Sequence, residues 1–138
     1  MNILEMCDAE AASVAVEATA KQAIQTMLDR HVGAVAVVDE HHRVAGIFTE
    51  RDVLRLALGE HDLRKILVRE VMTAPVEMAT RATLASEALA TMIERHYRHL
   101  PIVDDDGRLL GMLSIRNVLQ ARIDTLSGLL DQARAIVL

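Results

Sequence analysis

Apolar residues along this chain recur with two spacings. Ala20, Ala23, Ile24, Met27 and Leu28 follow the three-and-four spacing of a helix that buries one face, and Leu84, Ala88, Leu89, Met92 and Ile93 repeat it. Two β-rich runs follow each helix: Ala34 to Val38 and Val44 to Phe48, then Leu100 to Val103 and Leu109 to Leu113. A short strand is predicted ahead of each helix, over Ser13 to Val16 and Pro75 to Met78. Asp105-Asp106-Gly107 signals a hairpin turn between the last two runs. Thr49 and Ser114 then open a helix, because a hydroxyl there can accept from the free N–H groups of the first turn.

The two halves are one pattern written twice. A shift of 65 residues aligns Ala20/Ala85, Ala23/Ala88, Thr26/Thr91, Met27/Met92, Arg30/Arg95, His31/His96 and Val38/Val103. The identities continue with Asp39/Asp104, Arg43/Arg108, Gly46/Gly111, Arg51/Arg116, Val53/Val118 and Leu54/Leu119. Unrelated segments of that length share roughly two or three residues, so the repeat is real. Repeat one spans about 5–58, a charged connection with a predicted short helix spans 59–70, and repeat two spans 71–138. One copy of about 55 residues cannot bury its sheet alone, so the copies must pack together. The expected fold is α+β: two βαββα repeats packed sheet to sheet with pseudo-two-fold symmetry, and a long C-terminal helix. That last helix has a surplus apolar stripe through Ile123, Leu126, Leu130, Ala133 and Val137. Such a stripe calls for a cover, most simply a second copy in a symmetric dimer, the alternative being that the tail folds back on its own module.

Composition narrows the function. Twenty acidic against 15 basic residues give a net charge of −5, which opposes the phosphate neutralisation that nucleic-acid binding requires. Phe48 and Tyr97 are the only aromatics, so base stacking has little to work with. No apolar run approaches the ~20 residues of a membrane span and the N-terminus lacks signal-peptide regions, so a cytoplasmic location is expected. Cys7 is alone, with Glu5 and Asp8 disfavouring its thiolate. His96 and His99 are three apart, and His41-His42 lies in a predicted turn, but no carboxylate or cysteine set joins them, so no metal site is expected. Phosphate-loop, dinucleotide and nucleophile-elbow motifs are missing, and no nucleophile stands beside a base, so an enzyme is not expected.

The tandem arrangement, Val71-Met72-Thr73-Ala74-Pro75-Val76, Leu100-Pro101-Ile102-Val103-Asp104, and above all Gly46-Ile47-Phe48-Thr49-Glu50-Arg51-Asp52 with Gly111-Met112-Leu113-Ser114-Ile115-Arg116-Asn117 resemble the cystathionine beta-synthase (CBS) domain pair, or Bateman module. The resemblance covers nearly the whole chain. It implies a stand-alone regulatory module that binds AMP, ADP, ATP or S-adenosylmethionine in clefts between the repeats and signals to a partner protein. There are two departures. Ala36 lies where Pro101 lies in the second copy, and the segment from Met72 has no first-copy counterpart in register, Met6 being nearest at an offset of 66.

Read physically, the start of each final helix suits a phosphorylated ribose, because free N–H groups and the positive dipole end favour an anion there. Thr49 and Ser114 add a hydroxyl. Asp52 can accept from both hydroxyls of a cis-diol and so reads as a better ribose anchor than Asn117. Arg51, Arg116, Arg98 and His99 can offset phosphate charge, although a solvated or ion-paired surface is the plainer reading of the arginines. The competing reading of the helix starts is a capping box. That box prefers Glu or Gln at the third helical position, and the shorter arms of Asp52 and Asn117 are expected to suit it less well. Two functions remain: a nucleotide-sensing module whose purine lies mainly between aliphatic side chains, or an interaction module with vestigial clefts that assembles through its C-terminal helix.

Overall fold

The computed structural model describes residues 2–7 and 10–137. Asp8 and the side chain of Val137, both invoked from the sequence, lie outside the described residues. The order is α1 (Ile3–Met6), β1 (Ser13–Ala15), α2 (Ala20–Arg30), β2 (Ala34–Val38), β3 (Val44–Thr49) and α3 (Glu50–Ala57). Then follow α4 (Val68–Val71), α5 (Ala85–Arg95), β4 (His99–Val103), β5 (Leu109–Ser114) and α6 (Ile115–Val137). The first sheet runs β1-β2-β3, with β1 parallel and β3 antiparallel to β2; the second is the antiparallel pair β4-β5.

The hairpins face each other. Asp104 Oδ1 accepts the N–H groups of Asp106 and Arg108 at 2.9 Å, and Gly107 takes the left-handed conformation that closes the predicted turn. Asp39 does the same for His41 and Arg43, with His42 in Gly107's place at φ 63°. The two turns then join: Val44 N–H donates to the Gly107 carbonyl and Leu109 N–H to the His42 carbonyl, both at 3.0 Å. Behind this junction Ala36, Val38 and Leu109 are buried between the sheets, so the repeats pack sheet to sheet as expected.

One predicted strand does not form. Over Pro75 to Met78 the chain is irregular, and Ala79 alone reaches the sheet, as a parallel bridge to Ile102. That bridge keeps the register Val14 holds with Val37 in the first repeat. The cause lies at Pro101, whose counterpart Ala36 donates its N–H to the Ala12 carbonyl at 3.0 Å. Proline has no N–H to give, so the parallel ladder is lost there. The helix predicted within 59–70 is also displaced. A turn follows Asp62, whose carbonyl accepts from Lys65 and Ile66, and helical structure begins only at α4.

Each repeat's core borrows from the other half of the chain. Phe48, Val35, Val37, Ala23, Met27 and Leu56 close around Val68 of α4, while Leu100, Ile102, Leu113, Met92 and Val118 close around Ile3 of α1. α1 and α4 are themselves 65 residues apart, so the first-copy counterpart of Met72 is Cys7 rather than Met6. Gly46 and Gly111 mark the contacts. A Cβ at Gly46 would lie 2.5 Å from Met72 Sδ and 2.8 Å from the Thr73 carbonyl oxygen; one at Gly111 would lie 3.0 Å from Leu4 Cδ1 and 3.3 Å from Cys7 Sγ. Beyond Ala121, α6 leaves the body with its residues exposed on every face as far as Ile136, and the tail does not fold back.

Candidate functional site

β3 runs directly into α3 and β5 into α6, so both helices begin at the junction of the repeats. A cavity of about 590 Å³ opens there, within the ~300–1,000 Å³ usual for small-molecule sites. Its wall brings together Thr49, Arg51, Arg98, His99, Ser114, Arg116 and Asn117. Asp52 is the one predicted site residue outside that wall.

Asp52 is 2% exposed and its carboxylate is fully engaged. Oδ2 accepts from Thr49 N–H at 2.9 Å and Thr49 Oγ1 at 3.2 Å; Oδ1 accepts from Arg55 Nη1 at 3.0 Å and Thr73 Oγ1 at 2.9 Å. Thr49 Oγ1 accepts the Asp52 N–H in return at 3.4 Å. The capping box therefore forms, against the expectation from side-chain length, and it forms again in α6. There Asn117 Oδ1 accepts Ser114 N–H and Ser114 Oγ accepts Asn117 N–H, both at 3.0 Å. Asn117 Nδ2 has no hydrogen-bond partner among the described residues, which leaves a donor in the cavity wall.

The remaining wall is held by contacts across the repeats. Arg51 Nη1 donates to the His96 carbonyl at 3.3 Å, tying α3 to the end of α5. The Glu50 carboxylate and the His99 ring both lie against Gly33, where a Cβ would come 3.2 Å from Glu50 Oε1 and 3.3 Å from His99 Cε1. Burial pushes the His99 pKa down, Arg98 adds to the effect and Glu50 opposes it. His99 is thus a neutral donor-acceptor at pH 7 rather than a fixed cation. The fixed positive charge of the wall comes from Arg51, Arg55, Arg98 and Arg116; Arg55 is paired with Asp52 at 3.0 Å, and the other three, beside two helix N-termini, can hold an anion.

Sequence reasoning missed several members of this wall. Glu10, Glu50, His31, His96 and Thr73 all contribute to it. His31 and His96 were visible as repeat identities, and each ends a helix in the left-handed conformation, at φ 53° and 60°. Tyr97 also lines the cavity, one aromatic beside aliphatic side chains such as Val32, Ile47 and Met112. Among the described residues no three His, Cys, Asp or Glu side chains converge as metal ligands, and no helix is long and apolar enough to cross a membrane.

Residues 4–59 and 68–124 each match the CBS domain family. The chain belongs to the CBS domain family. A 17.7 kDa protein from the bps2 3′ region of Acidianus ambivalens is 36% identical over 106 residues, 77% of this CBS chain and 63% of that protein. Inosine-5′-monophosphate dehydrogenase of Methanocaldococcus jannaschii is 34% identical over 110 residues, 80% of this chain but 21% of the enzyme. The CBS chain thus spans less than two thirds of these relatives' lengths. Among solved structures, a CBS-domain protein of Agrobacterium tumefaciens superposes with a TM-score of 0.78 at 27% identity, covering 88% of this chain and 99% of that one. A CBS domain protein of Pyrobaculum aerophilum, complexed with AMP, gives 0.79 at 23% identity, covering 85% and 89%.

Proposed function

We propose that this CBS domain chain is a regulatory module, not an enzyme. It takes one adenosine-containing ligand, AMP, ADP, ATP or S-adenosylmethionine, into the cleft between its repeats, signals occupancy to a partner protein, and acts as a homodimer. The observation that carries this reading is the convergence of two helix N-termini and four arginines, of which Arg55 is paired with Asp52, on one cavity of nucleotide size. The AMP complex of the P. aerophilum protein, which shares the fold, supports the choice of ligand class. In this reading Arg51, Arg98 and Arg116 offset phosphate charge, Thr49 and Ser114 offer hydroxyls, and His99 and Asn117 meet the sugar or base. Asp52 reaches a ribose only by releasing Thr73 or Arg55.

Titration calorimetry with AMP, ADP, ATP and S-adenosylmethionine tests it. At least one is expected to bind, and silence from all of them at millimolar concentration overturns the reading. For a phosphate-bearing ligand, Arg98→Ala and Arg116→Ala should each weaken binding about tenfold, while leaving the affinity for adenosine itself unchanged. Loss of adenosine binding to the same degree would show that these arginines hold the fold rather than the phosphate.

A further inference from the structure

We propose that Glu50 is a specificity-determining residue of the cleft: it keeps phosphate out of the first-repeat half, so that a ligand lies with one phosphate at the start of α6 and a nucleoside monophosphate is taken in preference to a triphosphate. The proposal rests on the reading of this cleft as a nucleotide site, and it names the class of nucleotide.

Because the cleft is built from a repeat, its two halves can be compared position by position, and they differ in charge. Glu50 opens α3 where Ile115 opens α6. The Glu50 N–H donates to the Gly33 carbonyl at 3.1 Å, and the Ile115 N–H to the Arg98 carbonyl at 2.9 Å, so Arg98 stands where the first repeat has only a glycine. The first turn of α3 carries two carboxylates, Glu50 and Asp52, and that of α6 carries none. The positive end of the α3 dipole is thus already met by anions of the chain itself, whereas that of α6 is open to a phosphate. Glu10, just ahead of β1, adds another carboxylate to the wall, and among the described residues the second repeat adds none.

The cations are distributed the other way. Arg55 is held by Asp52 at 3.0 Å, and Arg51 reaches over to the His96 carbonyl of the second repeat at 3.3 Å. The guanidinium groups of Arg98 and Arg116 form no ion pair among the described residues. Two guanidiniums balance the about 1.5 to 2 negative charges of one phosphate monoester at pH 7. A longer phosphate chain finds no further unengaged guanidinium in the wall, and any phosphate turned toward the first repeat meets Glu50. That carboxylate lies beside Gly33 and the His99 ring and has no ion-pair partner among the described residues. Its charge is therefore uncompensated, and in a concave site such a charge repels a like one more strongly than on an open surface. Repulsion of this kind discriminates between ligands that share the same attractive contacts.

Titration calorimetry in magnesium-free buffer with adenosine, AMP, ATP and S-adenosylmethionine tests it. The full chain is expected to bind AMP at least about tenfold more tightly than ATP. Glu50→Gln, at an exposed position, should bring ATP to within about threefold of AMP and leave adenosine unchanged. Glu60→Gln removes the same charge outside the cleft and should leave the ratio as it was. A charge that serves only the α3 dipole would alter thermal stability but not the choice between AMP and ATP. Ile115→Glu, which puts a carboxylate at the equivalent place in the other half, should weaken AMP at least about tenfold, and Ile115→Gln should not; retained adenosine binding shows that both variants fold. Glu50→Gln decides the role of Glu50 even where Ile115→Glu fails to fold. ATP bound as tightly as AMP, a ratio that survives Glu50→Gln, or one that narrows equally in Glu60→Gln would overturn the proposal and leave the nucleotide reading standing. AMP binding that survives Ile115→Glu would overturn the orientation. Binding of S-adenosylmethionine alone would overturn the proposal but not the adenosine-ligand reading, and silence from all four would overturn both.

Discussion

At the scale of single residues, Asp52 shows where local chemistry stops. Its bonds to Thr49 lie within one helical turn and were readable as a capping box, but its bond to Thr73 spans 21 residues and depends on where α4 lands. A carboxylate that reads as an open ribose anchor from its motif is therefore occupied in the fold, while Asn117, the weaker candidate by chemistry, keeps an amide nitrogen with no partner among the described residues. His99 gives a residue-level test. Its folded-state pKa lies below the ordinary 6.5 because of burial, helped by Arg98. As pH falls through 6.5 the unfolded chain takes up a proton that the folded chain refuses, so stability present above that pH is lost below it. The thermal midpoint is expected to fall between about pH 7 and about pH 5.5, and His99→Gln should fall less over the same interval. Identical slopes for the two proteins would show that His99 titrates freely in the fold.

At the scale of elements, the repeats share a plan but not every contact. Pro101 costs the second sheet its parallel strand, and the two glycines of the repeated motif face unequal neighbours. Gly46 meets the Thr73 carbonyl, which is pinned by reciprocal hydrogen bonds between Ile47 and Thr73 at 3.0 and 2.8 Å. Gly111 meets side-chain atoms of Leu4 and Cys7, which can turn aside. Gly46→Ala should cost about 1–3 kcal/mol in urea unfolding, and Gly111→Ala less than about 1 kcal/mol. Equal losses at the two positions would contradict this account of what holds each segment against its strand.

At the scale of the whole molecule, the cavity belongs to neither repeat. Its wall takes Thr49 and Arg51 from one and Arg98, Ser114 and Asn117 from the other, and each repeat is itself completed by a helix from the opposite half. A ligand held there binds only the folded pair. AMP, if it is the ligand that calorimetry detects, should therefore stabilise the chain by about 2.7 kcal/mol at a hundred times its dissociation constant. That appears as a rise in Tm. An unchanged Tm under those conditions would mean that AMP binds the unfolded chain equally well. The sequence by itself determined the repeat, the order of its elements, the turns at Asp39 and Asp104, and the helix starts at Thr49 and Ser114. All of these follow from spacing and from hydrogen bonds within a few residues. Tertiary structure alone decided that α1 and α4 trade places between cores, that Pro101 erases a strand, and that Asp52 turns inward toward Thr73. Each of those depends on a neighbour dozens of residues away, or on a partner strand whose N–H is present or missing, and no local pattern encodes it.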